Sequence, residues 1–141
     1  MNKTIKLLAP IFTTLIATNA YANNVDLQIT GLKSNKGKVY VQLFKGQENF
    51  NKGKAEASSV VNAKKGEVTV SFYGLEKEDY GIRYYHDEND NGKMETNLIG
   101  LPTEGYGFSN SAKPNFGPVS YEQIKFEVVS PRTTNSSEII F

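Results

Sequence analysis

The chain has no cysteine at all and a single histidine among its 141 residues. Without cysteine it can form no disulfide, no thiolate metal site and no thiol-based catalytic centre, and it carries no lipobox for lipid anchoring. An excess of either charge is also lacking: 16 Lys and Arg oppose 15 Asp and Glu, a formal net charge of +1. Such a balance creates no field that would draw the chain to nucleic acid or to anionic lipid, and both partners are set aside. A hydrophobic run long enough to span a bilayer is missing too. Leu7 to Ala17 is apolar apart from Pro10 and the Thr13-Thr14 pair, about half of the ~20 residues a permanent transmembrane helix needs.

What that short run does fit is a cleavable export signal. Lys3 and Lys6 precede it, and Ala20-Tyr21-Ala22 follows with the small-x-small pattern cut by signal peptidase. Residues 1–22 are therefore expected to be a signal peptide, and 23–141 a single domain delivered to the periplasm or secreted. The remaining 119 residues suffice for one core without covalent staples. Losing the two lysines brings the formal charge close to −1.

Period-2 alternation recurs through this domain. Val25, Leu27 and Ile29 alternate with Asp26, Gln28 and Thr30; Val39, Val41 and Leu43 alternate with Tyr40, Gln42 and Phe44. Val68, Val70 and Phe72 do the same, as do Ile82 and Tyr84, and then Ile124, Phe126 and Val128. Ser58 to Asn62 and Ser137 to Phe141 are further candidate strands. Helical spacing is confined to one turn near Gln47 to Ala57. About seven short strands, each apolar on one face and polar on the other, predict an all-β, antiparallel two-sheet sandwich of the prealbumin-like or immunoglobulin-like kind. An outer-membrane barrel would need at least about eight longer strands with apolar outward faces, where this chain has Asp26, Gln28, Lys125 and Glu127.

One segment has the look of chemistry. After the strand ending near Tyr85, the chain reads His86-Asp87-Glu88-Asn89-Asp90-Asn91-Gly92-Lys93-Met94-Glu95. Oxygen-bearing side chains stand at alternate positions (Asp87, Asn89, Asn91), a glycine permits the sharp bend, and a carboxylate follows at the ninth position. A hard cation such as Ca2+ takes six to eight oxygens at about 2.3–2.6 Å, and alternate positions of a curled loop can aim theirs inward. The expected ligands are Asp87, Asn89, Asn91, the Lys93 carbonyl and Glu95, with Asp90, Asn97, Glu104 or water completing the set. Leu98 stands where an EF-hand has its closing glutamate, and no helices flank the loop, so an EF-hand is rejected. The competing reading is a plain turn, since Asn and Gly both accept left-handed backbone angles.

Leu98 to Tyr121 is a long stretch with little strand pattern but many aromatics. Loops of this length in small domains are commonly functional. Tyr106, Phe108, Phe116 and Tyr121 could offer a stacking surface for a small ligand, a carbohydrate or a peptide; equally, they could cover one end of the core. His86 shares parity with Ile82 and Tyr84 and is expected to point inward as a structural residue. No nucleophile–base pair is recognisable, so an enzyme is not expected.

The ordered blocks Gly74-Leu75, Tyr80-Gly81-Ile82, His86 through Asn97, Gly100-Leu101-Pro102 and Glu104-Gly105-Tyr106-Gly107-Phe108-Ser109-Asn110 resemble the exported bacterial family called domain of unknown function 2141. The likeness runs from about Val25 to Phe141, and Glu95 stands where that family usually has Asp. It implies a periplasmic or secreted β-sandwich and brings no activity with it. Locally, the strand leading into the Asp-x-Asn-x-Asn-Gly loop is also similar to calcium-binding B-type repeats of surface adhesins, which are prealbumin-like sandwiches. The expectation is a non-enzymatic module that binds Ca2+ through this loop and meets an unknown protein or glycan partner.

Overall fold

Alternating apolar residues give each strand one face that must leave water, and two sheets solve the problem together. The computed structural model describes residues 23–129 and 131–141; the expected signal peptide lies outside them. In the smaller sheet, β1 (Asn23–Leu32) lies between β4 (Gly66–Leu75) and β8 (Arg132–Glu138). The larger sheet has the order β3 (Ala57–Asn62), β2 (Lys38–Lys45), β5 (Asp79–Asp87) and β6 (Tyr106–Phe108). A two-residue strand, β7 (Phe126–Glu127), pairs with the beginning of β5.

The core sits between the sheets. Val25, Leu27 and Ile29 of β1 and Val70 and Phe72 of β4 face Val39, Val41 and Leu43 of β2 and Ile82 and Tyr84 of β5, all buried. Each such aliphatic side chain contributes about 1.5–3 kcal/mol by leaving water. The expected two-sheet sandwich is thus the fold, with the strands at Val25, Val39, Ser58, Val68 and Ile82 where alternation placed them. The single helical turn near Gln47 is α1 (Gly46–Asn51).

Three features depart from the sequence expectation. First, β8 runs parallel to β1, while the other named pairings are antiparallel. It also begins at Arg132, well before the expected Ser137, and apolar alternation missed it because its buried positions, Asn135 and Ser137, are polar. Asn135 is satisfied by a reciprocal pair with Asn110 (2.8 and 2.7 Å), and Ser137 by the Tyr84 hydroxyl at 2.7 Å.

Second, the strand expected over Ile124 to Val128 shrinks to β7. The side chain of Gln123 turns back to accept from the Ser120 backbone N–H at 2.9 Å and helps form a helical turn, α2 (Tyr121–Ile124). This turn sends Ile124 to a different apolar cluster from Val128.

Third, the segment 98–121 is not one long loop, since it contributes β6 and a short 3-10 turn, Ser109–Ser111. Its end covers the outer face of the larger sheet. There Phe44 of β2 meets Phe50 of α1 edge-on (centroids 5.4 Å apart), and Phe50 in turn meets Tyr121 (5.8 Å). Gly81 of β5 makes room for this cover, since a Cβ there would stand 2.7 Å from Ile124 Cδ1.

Candidate functional site

β5 carries the loop. Its last residue, Asp87, is wholly buried and pairs across the sheet with Lys38 of β2. Gly37 precedes that partner with φ of +67°, and a Cβ on it would lie 1.7 Å from the Asp87 carbonyl oxygen. Only glycine allows the two strands to close at this point. His86, immediately before, is buried as expected, and its Nε2–H donates to the Lys36 carbonyl at 2.6 Å.

The Asp87 carboxylate curls the chain that follows. Its Oδ1 accepts from Asn91 N (3.1 Å) and its Oδ2 from Gly92 N (2.7 Å). Two Asx turns reinforce the curl: Asn89 Oδ1 accepts from Asn91 N at 3.2 Å, and Asn91 Oδ1 from Lys93 N at 2.9 Å. Asp90 and Gly92 adopt left-handed backbone angles, φ +56° and +74°. At the mouth of the curl, Asn89 Nδ2 and Asn91 Nδ2 both donate to Glu95 Oε1, at 2.8 and 2.7 Å.

Of the residues expected to ligate, Asp87, Asn89, Asn91 and Glu95 are therefore gathered in one small loop. Lys93 joins through its backbone N–H. The further candidates divide. Asp90 pairs with Lys38 (3.3 Å), and Asn97 Oδ1 is spent accepting from Ile99 N and Leu101 N of the next turn. Glu104 does reach the loop, but as a brace: its two oxygens accept from Glu88 N (3.2 Å) and Glu95 N (3.1 Å). No group of three or more His, Asp or Glu side chains gathers as a metal cage among the described residues.

Beside the loop lies a groove that the strand pattern gave no reason to expect. Cross-strand register sets two rows on the outer face of the larger sheet, Val60–Tyr40–Tyr85–Tyr106 and Ser58–Gln42–Arg83–Phe108. The Tyr40 and Tyr85 rings stack with centroids 5.1 Å apart and 6° between planes. Met94, Pro114 and Pro118 add to the lining, and the groove has a volume of about 690 Å3. Among the described residues, Arg83 is its one charged lining residue. Burial pulls the Arg83 pKa down and pushes that of the Tyr85 phenol up, Asp87 adding to the latter through its charge. Tyr85 also ties groove to loop, since its hydroxyl donates to the Gly92 carbonyl at 3.1 Å.

The four aromatics read as either a stacking surface or a cover for one end of the core separate in the fold. Tyr106 and Phe108 line the groove, Tyr121 is buried in the outer cluster, and Phe116 projects fully into solvent. The groove's central residues, Tyr40 and Gln42 of β2 and Arg83 and Tyr85 of β5, are ones that alternation assigned to a water-facing side.

A family model described as an uncharacterised protein conserved in bacteria, DUF2141, matches residues 27–136. The chain belongs to that family. The DUF2141 match extends from β1 into β8 and includes the Asp87–Glu95 loop, Glu104 and the groove floor. No curated protein and no solved structure matches the chain significantly. Among the described residues no helix is long and apolar enough to cross a membrane.

Proposed function

We propose that this protein is an exported, non-enzymatic sandwich module that binds Ca2+ on the Asp87–Glu95 loop, the ion ordering the neighbouring 98–121 segment. The observation supporting this reading is the meeting of the Asn89, Asn91 and Glu95 side chains at Glu95 Oε1, over a curl held by Asp87. Half a turn of each amide exchanges Nδ2 for Oδ1 at that meeting point. Two amide oxygens and a carboxylate oxygen then face a common centre, and Asp87, the Lys93 carbonyl and water can fill the oxygen count a hard cation needs. That exchange gives up both Asx-turn bonds, so the affinity is weak, roughly 10⁻⁴–10⁻³ M as in extracellular calcium modules. Export places the loop where such a site can be filled. The ion's influence reaches the 98–121 segment through Glu104, which accepts from amides on both sides of the curl.

Thermal melts of the purified protein in 10 mM CaCl2 and in chelator test the reading. With a dissociation constant near 1 mM, mass action adds about 1.4 kcal/mol, or roughly 5 °C for a domain of this size. Glu95→Gln, which removes the charge and leaves an amide in place, is expected to shrink the difference to about 1 °C or less. Superimposable melts of the unaltered protein would sink the calcium reading.

A further inference from the structure

The groove on the larger sheet has a polarity that its apolar lining does not explain. Arg83 lies half-buried on its floor, and no carboxylate among the described residues pairs with it. Its Nε–H donates to Gln42 Oε1 at 2.8 Å, and its guanidinium carbon stands 4.8 Å from the centre of the Phe44 ring. These two contacts hold the guanidinium in place and leave both Nη groups without a hydrogen-bond partner among the described residues. A planar fork held in this way suits the two oxygens of a carboxylate.

The rest of the floor suits a flat apolar body. One row away from Arg83, the stacked pair Tyr40 and Tyr85 offers ring surface, with Tyr106 beside Tyr85 across the strand. Phe108 flanks Arg83 itself. The volume of about 690 Å3 falls within the roughly 300–1,000 Å3 typical of small-molecule sites. A single cation with no second basic residue in the lining among the described residues matches one negative charge better than the two or more of a phosphate ester.

We propose that this groove binds a small organic monocarboxylate with an aromatic or alicyclic body, the carboxylate on Arg83 and the body on the Tyr40–Tyr85–Tyr106 row. The site does not depend on the calcium reading, because none of its proposed contacts is a loop oxygen.

A matched ligand set separates the contributions: 2-naphthoate, its neutral amide, and the cationic 2-naphthylmethylamine. Each is titrated calorimetrically into the intact protein, once in chelator and once with calcium. The acid is expected to bind most tightly in both buffers. Losing a charge-assisted pair weakens the amide about tenfold or more, and the amine is weaker still. Arg83→Gln should equalise acid and amide, and Arg83→Lys should keep part of the preference for the acid. Equal affinity of acid and amide for the unaltered protein would overturn the proposal, as would tightest binding of the amine or no heat from any ligand at millimolar concentration. Acid binding that occurs only with calcium would assign the carboxylate to the metal and would also overturn it. Because the decisive comparison uses the unaltered protein, it stands even if an Arg83 variant fails to fold. The melts in calcium and chelator are a separate readout, so failure of either proposal leaves the other standing.

Discussion

Glu104 and Asp26 each tie separate stretches of the chain together by accepting two hydrogen bonds. Glu104 is nearly buried and accepts from Glu88 N and Glu95 N, so removing it leaves two amides short of an acceptor. Glu104→Ala is expected to cost about 1–3 kcal/mol in urea unfolding and to speed hydrogen exchange at those two amides selectively. Unchanged exchange there would mean that the brace is dispensable.

Asp26 on β1 accepts from Ser71 Oγ and Arg132 Nε, both at 2.6 Å. The Ser71 bond, helped by Arg132 and opposed by burial, holds its pKa below the ordinary 3.8. A carboxylate with a lowered folded-state pKa stabilises the fold fully above the unfolded value and loses that contribution as pH falls through the folded one. Stability should therefore decline as pH drops below about 3.8, and Asp26→Asn should flatten that part of the curve. Urea midpoints between pH 5 and 2 measure it, and parallel curves for the two proteins would refute the assignment.

Among the elements, the β2–β5 pair decides where the loop stands. Lys38 opposite Asp87 closes the ladder, and Gly37 makes that closure possible through its positive φ and its missing Cβ. Alanine at position 37 would meet the Asp87 carbonyl, so Gly37→Ala is expected to cost more than about 1 kcal/mol and to weaken any calcium response along with the fold. Denaturant unfolding followed by the calcium melt checks both effects, and a fully stable variant would show that the strand ends can part without consequence. In the smaller sheet, β8 joins β1 as an edge strand with a polar inward face. It does so because Asn135 and Ser137 find partners in Asn110 and Tyr84, which belong to other parts of the chain. Tyr84, buried beneath it, has its pKa pushed up to about 12 by that burial.

At the scale of the molecule, the larger sheet is buried on one face by the core and only partly covered on the other. The cover formed by Phe44, Phe50, Tyr121 and Ile124 stops short of the Tyr40–Tyr85 rows, and the uncovered part is the groove. The loop and the groove share a border at Tyr85 and Met94. One face of one sheet thus carries both proposed activities, each with its own set of contacts.

The sequence alone determined what depends on near neighbours. Val25, Val39, Val68 and Ile82 each head an alternation that marks which residues leave water, and burying several such faces together requires a sandwich. The Asp87–Glu95 curl was legible for the same reason, because its bonds join residues no more than a few positions apart. The tertiary structure decided what depends on distant partners. Alternation names the face of a strand but not the neighbour beside it, so the parallel pairing of β8 with β1 could not be read from it. The same blindness hid the groove: Tyr40, Arg83 and Tyr106 lie far apart in sequence and look like three unrelated surface residues. Only the register of β2, β5 and β6 gathers them on one face, and that register follows from which apolar faces and turns meet in the fold, which alternation within a single strand does not reveal.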